Sequence, residues 1–422
     1  MLPLYRIATA LGAPLIHVYL KKRLARGKED AARFDERLGY ASHARPAGPL
    51  VWLHAASVGE SLSMLPLIER LLADHAGLSL LMTTGTVTSA KLMAERLPPR
   101  AFHQYVPVDR IGYVRRFLDH WHPDLALWAE SEFWPNLVSE THGRGIPMVL
   151  VNGRISPRSF AGWQRARGLI AELLSDFALC LGQTEEDAAR LRHLGAPGAD
   201  CLGNIKFAVP ALPVDSGEFE TLSHAIGTRP RWLAASTHDG EEDAIARVHA
   251  QLKRTHPALL TIVVPRHPDR GAGITAMLRG QGFSVARRAL GETVSDDTDI
   301  YVADTMGELG LFYRLCDIAF LGKSLVPLGG QNPLEALRLG TVVLHGPHMT
   351  NFDKITRDMA AHGCAIEVAD ETALASALAD LLANPAKRRA MAESGLAYVD
   401  AEAGVVDRVA ERIGRLLVDA AA

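Results

Sequence analysis

The chain has 422 residues, which is long enough for two large α/β domains, since a typical domain has about 150 residues. Hydrophobic residues make up 48% and charged residues 22%, a composition that excludes a disordered or fibrous protein. The formal net charge of −3 argues against binding of nucleic acid. The 4 cysteines lie far apart without a C-x-x-C pair, so we expect no zinc module, no disulfide framework and a cytosolic default.

The first element along the chain is an apolar stretch from Leu2 to Leu20, which a basic run at 21–28 follows at once. Pro3 and Pro14 weaken this stretch as a helix, and its uninterrupted part is shorter than the ~20 residues that a bilayer needs. Positive charge after the apolar segment disfavours a cleavable signal peptide and favours a cytoplasmic position for the rest of the chain. We therefore expect the segment 1–28 to lie in a membrane interface; the alternative is a buried first helix.

Continuously apolar strands then alternate with helical patterns. In the first half we predict strands at 49–55, 78–86, 101–109, 124–131 and 147–154, with helices at 63–75 and 89–97. Strands that are apolar along their whole length and alternate with helices indicate a parallel sheet covered on both faces. This half is predicted to be a doubly wound domain.

A second series of the same kind follows a proline-containing segment. Its predicted strands are 231–237, 259–268, 283–288, 300–305, 317–324 and 341–347, with helices at 241–254, 272–281 and 308–316. The predicted domains are 29–205 and 229–422, joined by a linker at 206–228. Two such domains should face each other across a cleft, with ligands at the carboxyl ends of the strands.

The segment after the first predicted strand carries the first candidate for chemistry. Ser57 and Glu60 have the S-x-x-E spacing of a capping box at a helix start, and Gly59 permits a tight turn. A positioned carboxylate is also what a general base needs to take a proton from a hydroxyl. Both readings of Glu60 stay open from the residues alone.

Two acids lie at the end of the predicted strand at 124–131, where the chain enters a turn. Glu130 and Glu132 stand beside Trp134, in a loop that should face the ligand. Both acids could be solvated; alternatively, one of them packs under Trp134 and has a perturbed pKa.

Three loops of the second half have features of an anion site. The first is the turn Pro265–Pro268, which presents Arg266 and His267 at a strand end. The second is the strand-to-helix junction 304–309, where Asp304 or Thr305 could cap and the amides of residues 306–308 could bind phosphate. The third is the loop 329–335, where two glycines precede Asn332 as N-cap and Pro333 as first helical residue.

Two common nucleotide motifs do not occur. The sequence has neither a G-x-x-x-x-G-K-[ST] motif nor a G-x-G-x-x-G motif opening a domain, which argues against a P-loop NTPase and a dinucleotide oxidoreductase. The D-x-D at Asp297–Asp299 lies in an acidic loop and is expected to be solvated rather than to bind a metal.

Nine motifs in chain order resemble those of the 3-deoxy-D-manno-octulosonic acid (Kdo) transferase family of Gram-negative lipopolysaccharide synthesis. They are HAASVGE, AESEFWPN, VNGRIS, QTEED, NIKF, STHDGEE, VPRHP, DTMGEL and GGQNPLEA. The resemblance covers nearly the whole chain and implies a GT-B fold: two Rossmann-like domains, with the acceptor on the first and the sugar nucleotide on the second. It implies inverting transfer of Kdo from CMP-Kdo to the lipid A precursor lipid IVA, at the cytoplasmic face of the inner membrane and its anionic lipid surface.

The same resemblance implies residue roles. Glu60 would be the proton acceptor, and Glu130 and Lys206 would stabilise the transition state. CMP-Kdo would be held by Pro265, Arg266, His267, Met306, Gly307, Glu308, Asn332, Pro333, Leu334 and Glu335. No metal or cofactor is expected, because helix N-termini and Arg266 can take up charge on the departing phosphate.

Two other functions remain as alternatives. A non-hydrolysing sugar-nucleotide 2-epimerase shares the architecture but would lack the apolar and basic N-terminus. A catalytically silent binding protein for lipid A or a sugar nucleotide would bind without turnover. The presence of both Glu60 and Glu130 favours the transferase.

Overall fold

The computed structural model describes residues 1–196, 198–208 and 210–421. It divides into two compact units, the first made of Met1–Val209 with Glu402–Ala422 and the second of Pro210–Ala401. The chain therefore passes between the units twice.

Unit 1 contains a parallel sheet in the order β3-β2-β1-β4-β5-β6-β7. Its strands are β1 (Leu50–His54), β2 (Ser79–Thr84), β3 (Ala101–Tyr105), β4 (Leu125–Ala129), β5 (Met148–Gly153), β6 (Leu179–Gly182) and β7 (Asp200–Cys201). Its first helices are α1 (Leu2–Leu11), α2 (Ala13–Ala25), α3 (Val58–Asp74), α4 (Val87–Arg96), α5 (Ile111–Trp121), α6 (Pro135–His142), α7 (Pro157–Arg165), α8 (Arg167–Ser175) and α9 (Glu185–Leu194). Short 3-10 helices span Phe34–Leu38 and Ile205–Ala208.

Unit 2 contains a parallel sheet in the order β10-β11-β9-β8-β12-β13-β14. Its strands are β8 (Arg231–Thr237), β9 (Leu260–Pro265), β10 (Val285–Arg287), β11 (Ile300–Val302), β12 (Ile318–Leu321), β13 (Val342–His345) and β14 (Ala365–Glu367). Its helices are α10 (Ser216–Ile226), α11 (Glu241–Lys253), α12 (Gly271–Gly280), α13 (Leu309–Leu315), α14 (Leu334–Leu337), α15 (Asp353–Ala361), α16 (Glu371–Ala383) and α17 (Pro385–Ala401). The last helix, α18 (Val405–Ala421), returns to unit 1.

Each sheet of this α/β protein is covered on both faces, as the apolar strands predict. In unit 1 Val51 and Leu53 of β1 pack into one buried cluster with α3, whereas Leu50 and Trp52 pack into a second cluster on the opposite face. Side chains of a strand alternate between its faces, so a continuously apolar strand supplies two cores at once.

The predicted domain limits are wrong at two places. Residues 402–422 do not belong with the second domain, because α18 buries Val405, Val409 and Ile413 in the core of unit 1. The predicted linker 206–228 is not structureless either, since it contains α10, whose start is capped by the Asp215 side chain.

Helix starts account for most other differences from the predicted elements. The helix expected at 63–75 begins five residues earlier as α3, because the Ser57 hydroxyl accepts a hydrogen bond from the Glu60 amide at 3.3 Å. Pro3 and Pro14 do not break the N-terminal helices. Each lies in the first turn of its helix, where the missing N–H has no partner to lose.

The N-terminal helices contact unit 1 through polar side chains and each buries one leucine, Leu2 in α1 and Leu20 in α2. The Tyr5 hydroxyl donates to Asp109 at 2.9 Å, and Arg6 pairs with Glu140 at 3.0 Å. Leu4, Leu11 and Leu15 instead are 73–78% exposed, so the alternative of a buried first helix is wrong. Among the residues that the structure describes, no helix combines the length and apolar character needed to cross a bilayer.

Candidate active site

Glu60 and Glu130 lie at the carboxyl ends of β1 and β4, which are neighbours at the centre of the unit 1 sheet. The chain order reverses between these two strands, with β2 and β3 on one side and β5 to β7 on the other. Such a switch point opens a crevice at the strand ends and is where doubly wound sheets bind ligands. The structure thus brings together two of the predicted catalytic residues.

The Glu60 carboxylate is held by its own helix start. One oxygen accepts the Ala56 amide at 2.8 Å, and the other accepts the Ser57 hydroxyl at 2.7 Å. The capping reading of Glu60 is therefore confirmed, and it is compatible with the base reading because capping fixes the carboxylate. Burial, and after it the charge of Glu130, raises the pKa of Glu60.

Glu130 pairs with Lys206, the third predicted catalytic residue. The Lys206 Nζ lies 2.7 Å from Glu130 Oε1, and both side chains are largely buried, with 16% and 13% of their surface exposed. Lys206 reaches this position because Asn152 Oδ1 accepts the amide of the preceding residue, Ile205, at 3.1 Å. Glu130 and Asn152 both have left-handed backbones, with φ of 57° and 56°.

Glu132 is the acid that packs with Trp134. The indole Nε1 donates to its carboxylate at 2.6 Å, and burial raises the pKa of Glu132. One of the two acids thus lies beside Trp134 as expected, but burial raises its pKa, whereas the hydrogen bond from Trp134 lowers it. The reading of both acids as solvated is wrong.

In unit 2, Pro265 is the buried end of β9, and Arg266 and His267 follow it as exposed residues. The Arg266 amide donates to the Thr237 carbonyl at 3.0 Å, which ties this turn to the end of β8. The positive charge of Arg266 also reaches Glu335, whose pKa is raised by burial and lowered in part by Arg266.

The turn Met306–Glu308 follows β11, which β9 and β8 separate from β12. Met306 is exposed, and Gly307 has a φ of 84°. Neither Asp304 nor Thr305 caps α13: Asp304 bonds to Arg287, and the Thr305 hydroxyl donates to Glu308. The Arg288 guanidinium binds Glu308 and lowers the pKa of that carboxyl.

The loop Asn332–Glu335 follows β12 and leads into α14. Pro333 rather than Asn332 is the N-cap, and Leu334 is the first helical residue. Asn332 still serves the helix start, because its Oδ1 accepts the Leu334 amide at 3.2 Å and its Nδ2 donates to Glu335 at 3.4 Å.

Comparison with known proteins identifies the family. A family model described as "3-Deoxy-D-manno-octulosonic-acid transferase (kdotransferase)" matches residues 32–209. A 3-deoxy-D-manno-octulosonic acid transferase of Bordetella pertussis is 36% identical over 427 residues, which cover 97% of this chain and 98% of that protein. One from Haemophilus influenzae is 32% identical over 401 residues, 94% of each chain, and a probable mitochondrial one from Arabidopsis thaliana is 37% identical over 393 residues, 90% and 88%. This chain belongs to the Kdo transferase family.

Solved structures agree with the fold of this Kdo transferase. A glycosyltransferase from Rickettsia africae superposes with a TM-score of 0.60 at 12% identity, covering 88% of this chain and 99% of its own. A UDP-GlcNAc 2-epimerase from Neisseria meningitidis gives 0.59 at 12% identity, covering 87% and 100%. The chain is a GT-B protein with two Rossmann-like units. Because the epimerase shares the fold, it is the sequence relatives that separate the two enzyme classes.

His238 and Lys323 are polar residues of the transferase that sequence reasoning did not single out. They follow β8 and β12, the central pair of the unit 2 sheet. The His238 ring lies 5.8 Å from that of His267, and its Nε2 is 3.3 Å from the Gln331 amide nitrogen. Their signal was a basic residue within two positions of the end of a buried strand, in the runs STHDGEE and LGKS.

The described residues contain no group of three or more His, Cys, Asp or Glu side chains placed to hold a metal ion. The expectation that the Asp297–Asp299 loop is solvated is wrong for Asp299. Its carboxylate is buried, pairs with Lys253 and accepts the Ser284 amide at 3.1 Å. Asp299 therefore joins its loop to Lys253, at the end of α11, and to Ser284, just before β10.

Proposed function

We propose that this Kdo transferase moves Kdo from CMP-Kdo to lipid IVA with inversion at the anomeric carbon. The observation that carries the proposal is the placement of Glu60, Glu130 and Lys206 at the switch point of unit 1. A fixed carboxylate beside an ion pair suits removal of a proton from an acceptor hydroxyl.

The reaction proceeds by displacement at one carbon. The acceptor oxygen forms the new bond to the anomeric carbon while its proton passes to Glu60. The bond from that carbon to the phosphate oxygen breaks, and its electron pair leaves with CMP. The raised pKa of Glu60 suits this task, because a base is most effective when its pKa approaches the working pH.

Glu130 and Lys206 stabilise the transition state in this proposal. The anomeric carbon of Kdo carries a carboxylate and becomes oxocarbenium-like as CMP departs, so both signs of charge develop at one place. A carboxylate and an ammonium held 2.7 Å apart in a largely buried site present both signs without reorganisation.

The donor is assigned to unit 2. Arg266 and His267 supply positive charge for the phosphate, and the turn Met306–Glu308 and the loop Asn332–Glu335 supply further contacts to CMP. The support is that all three segments follow strands of one parallel sheet at its carboxyl edge. No metal is required, because cationic side chains neutralise the leaving group.

We also propose that α1 and α2 hold the enzyme on the cytoplasmic face of the inner membrane. An ordinary amphipathic helix turns its apolar side to the protein, but α1 docks through Tyr5 and Arg6 and leaves Leu4 and Leu11 exposed. Apolar surface facing outward beside a basic run is the pattern of an interfacial helix, and anionic lipid headgroups are its partner. A lipid acceptor would then meet the enzyme at the surface where it resides.

The decisive experiment is incubation of the purified protein with CMP-Kdo and lipid IVA, followed by mass spectrometry of the lipid. We expect one or more added Kdo residues, and anomeric NMR of the product should show inversion. UDP-GlcNAc with no acceptor is the matched control for epimerase activity. Epimerised sugar without lipid modification would contradict the proposal.

A further inference from the structure

Lys323 lies at the switch point of the unit 2 sheet. The chain order reverses between β8 and β12, with β9, β11 and β10 on one side and β13 and β14 on the other. His238 follows β8, and Lys323 is the second residue after β12. Ligands of doubly wound sheets bind in the crevice that opens between the two strands at such a point. The two side chains therefore flank the expected ligand position.

The Glu241 carboxylate fixes the backbones of both residues. One of its oxygens accepts the amides of His238 at 2.9 Å and Lys323 at 2.7 Å, and the other accepts those of Ser324 and Leu325 at 3.1 Å each. Glu241 is itself 1% exposed. Because four N–H groups donate to one buried carboxylate, the backbones of His238 and Lys323 are held rigidly relative to each other.

Lys323 also has a strained backbone, with a φ of 63°. Glycine adopts this left-handed region without cost, whereas a lysine there costs free energy that the surrounding hydrogen bonds must offset. The Lys323 carbonyl accepts the amide of Gly330, so the strained residue ties β12 to the loop that leads to Asn332. Within the described part of the chain, no carboxylate lies close enough to pair with the Lys323 ammonium.

The surroundings of Lys323 are strongly cationic. Burial lowers the pKa of His238, and the charges of Lys323, His267, Arg266 and Arg270 lower it further. Arg270 is the member of this group that is neutralised, because it pairs with Glu242 at 2.7 Å. A concentration of unpaired positive charge at a ligand crevice fits an anion of more than one charge.

We propose that Lys323 binds the phosphate of the sugar-nucleotide donor and holds it as the leaving group, with His238 beside it. The inference rests on the proposed function, in which the donor is a nucleotide-activated sugar. As the bond between sugar carbon and phosphate oxygen breaks, its electron pair stays on that oxygen. The Lys323 ammonium donates to the phosphate oxygens in the product, and no proton is transferred from it.

The test compares ligands that differ only in phosphate. Binding of CMP and of cytidine is measured by calorimetric titration or competition for wild type, Lys323→Met and Lys323→Arg. We expect Lys323→Met to bind CMP at least tenfold more weakly and cytidine unchanged, and Lys323→Arg to retain most of the CMP affinity. Methionine keeps an unbranched side chain one heavy atom shorter than lysine and the strain of the backbone, so the main difference is the loss of the ammonium.

The matched control is Lys354→Met, which removes a surface lysine of the same unit that pairs with Asp358 within α15. It should leave binding of both ligands unchanged. Lys323→Met that binds CMP as tightly as wild type would overturn the role of Lys323 while leaving the proposed function intact. Wild-type enzyme that binds no pyrimidine nucleotide would overturn the donor assignment and the role of Lys323 with it.

Discussion

At the scale of single residues, Glu60 combines an observed structural role, at the start of a helix, with its proposed role as the base. As the third residue of α3 it accepts two hydrogen bonds at the helix start, and its raised pKa records the burial that this position imposes. Glu60→Gln keeps an amide oxygen for the cap but cannot take a proton. We expect transfer to fall by about 10²–10⁴-fold, the usual cost of losing a general base.

A stability measurement can separate the role of Glu60 at the helix start from its proposed role as the base. A carboxyl whose pKa is raised by folding contributes stability below its unfolded pKa and loses that contribution as the pH rises through its folded pKa. Ionised Glu60 therefore costs stability at neutral pH, and Glu60→Gln should melt at the same temperature as wild type or higher. Calorimetric melting beside the transfer assay checks this, and Asp370→Asn, at the exposed cap of α16, is the control for capping alone.

The pH dependence of wild-type transfer follows from the same shift. The acidic limb of the rate should lie above the ~4.3 of an ordinary glutamate, because the base must be ionised. A variant Glu60→Gln that retains more than about a tenth of the wild-type rate would reduce Glu60 to a helix cap.

Unlike Glu60→Gln, Glu130→Gln should lower the stability of the protein. It removes the carboxylate that neutralises the largely buried Lys206 ammonium, so we expect a loss of stability of up to about 3 kcal/mol together with the loss of transfer. The double variant Glu130→Gln with Lys206→Met should regain stability but not activity, since it removes both charges. Urea unfolding of wild type, Glu130→Gln, Lys206→Met and the double variant gives the coupling energy between the two side chains.

A surface pair supplies the control for this cycle. Asp380 and Lys387 lie 2.6 Å apart but are about half exposed, and such pairs contribute roughly 0–1 kcal/mol. Additive effects of the Glu130 and Lys206 substitutions on the free energy of unfolding would show that the pair does not hold the site together.

The position of the two proposed catalytic carboxylates could be predicted because they follow strands, and strand ends are where a parallel sheet binds ligands. The pairing of Glu130 with Lys206 could not be predicted, because the two residues are far apart in sequence. The left-handed turn at Asn152 and its hydrogen bond with Ile205 bring them together. Asp299 was misjudged for a similar reason: its partner Lys253 lies on a helix distant in sequence.

At the scale of elements, the composition predicted an apolar N-terminal segment but neither its two helices nor their orientation. The sequence shows an apolar stretch interrupted by Arg6 and His17, and helix periodicity alone would bury the apolar side. Arg6 pairs with the largely buried Glu140, and Tyr5 with the buried Asp109, so these two polar side chains dock together with Leu2 while Leu4 and Leu11 stay exposed. The partners lie more than a hundred residues away and cannot be read from a local pattern.

This orientation predicts how the helices bind a membrane. Replacing Leu4, Leu11 and Leu15 together by serine should weaken binding to vesicles of anionic phospholipid at least tenfold, because each exposed leucine can bury apolar surface in lipid. Transfer to a detergent-dispersed acceptor should stay within about threefold of wild type, since none of the three contacts the site. Vesicle sedimentation measures the first and the lipid assay the second.

Salt and a matched variant complete that experiment. Lys21 and Lys22 are exposed, whereas Arg23 is paired with Glu29 at 2.5 Å, so fewer cations face the lipid than the basic run contains. High salt should therefore release only part of the wild-type protein, at about 1 kcal/mol for each cation. Leu290→Ser, at an exposed leucine of unit 2, is the control. Unchanged vesicle binding by the triple variant would contradict the anchor.

At the scale of the whole molecule, the order of strands and helices was predictable but the path of the chain was not. Alternating apolar strands and helices indicated two parallel sheets, and both are observed. Which unit receives the last helix depends on complementary shape. The apolar side of α18 packs against α3 and the 3-10 helix at Ile205–Ala208, and Asp407 also pairs with Arg70 of α3 at 2.5 Å, so these contacts place it with unit 1.

The return of α18 makes a prediction about the two units. Deleting residues 402–422 removes six buried apolar side chains from the core of unit 1, those of Val405, Val406, Val409, Ala410, Ile413 and Leu417. Burial of a valine or leucine contributes about 1.5–3 kcal/mol, so the loss rivals the ~5–15 kcal/mol of a whole domain.

Hydrogen exchange can assign this loss to one unit. In the truncated protein, peptides covering β1 and α3 should lose protection, while those covering β8 and β9 keep it. Transfer should be abolished because Glu60 lies on α3, whereas CMP binding, assigned to unit 2, should persist. A serine replacement of exposed Leu328 in the full-length chain, outside both cores, should leave protection of β1 and α3 intact. If unit 2 rather than unit 1 loses protection on truncation, the C-terminal segment belongs to the second domain as the sequence alone had indicated.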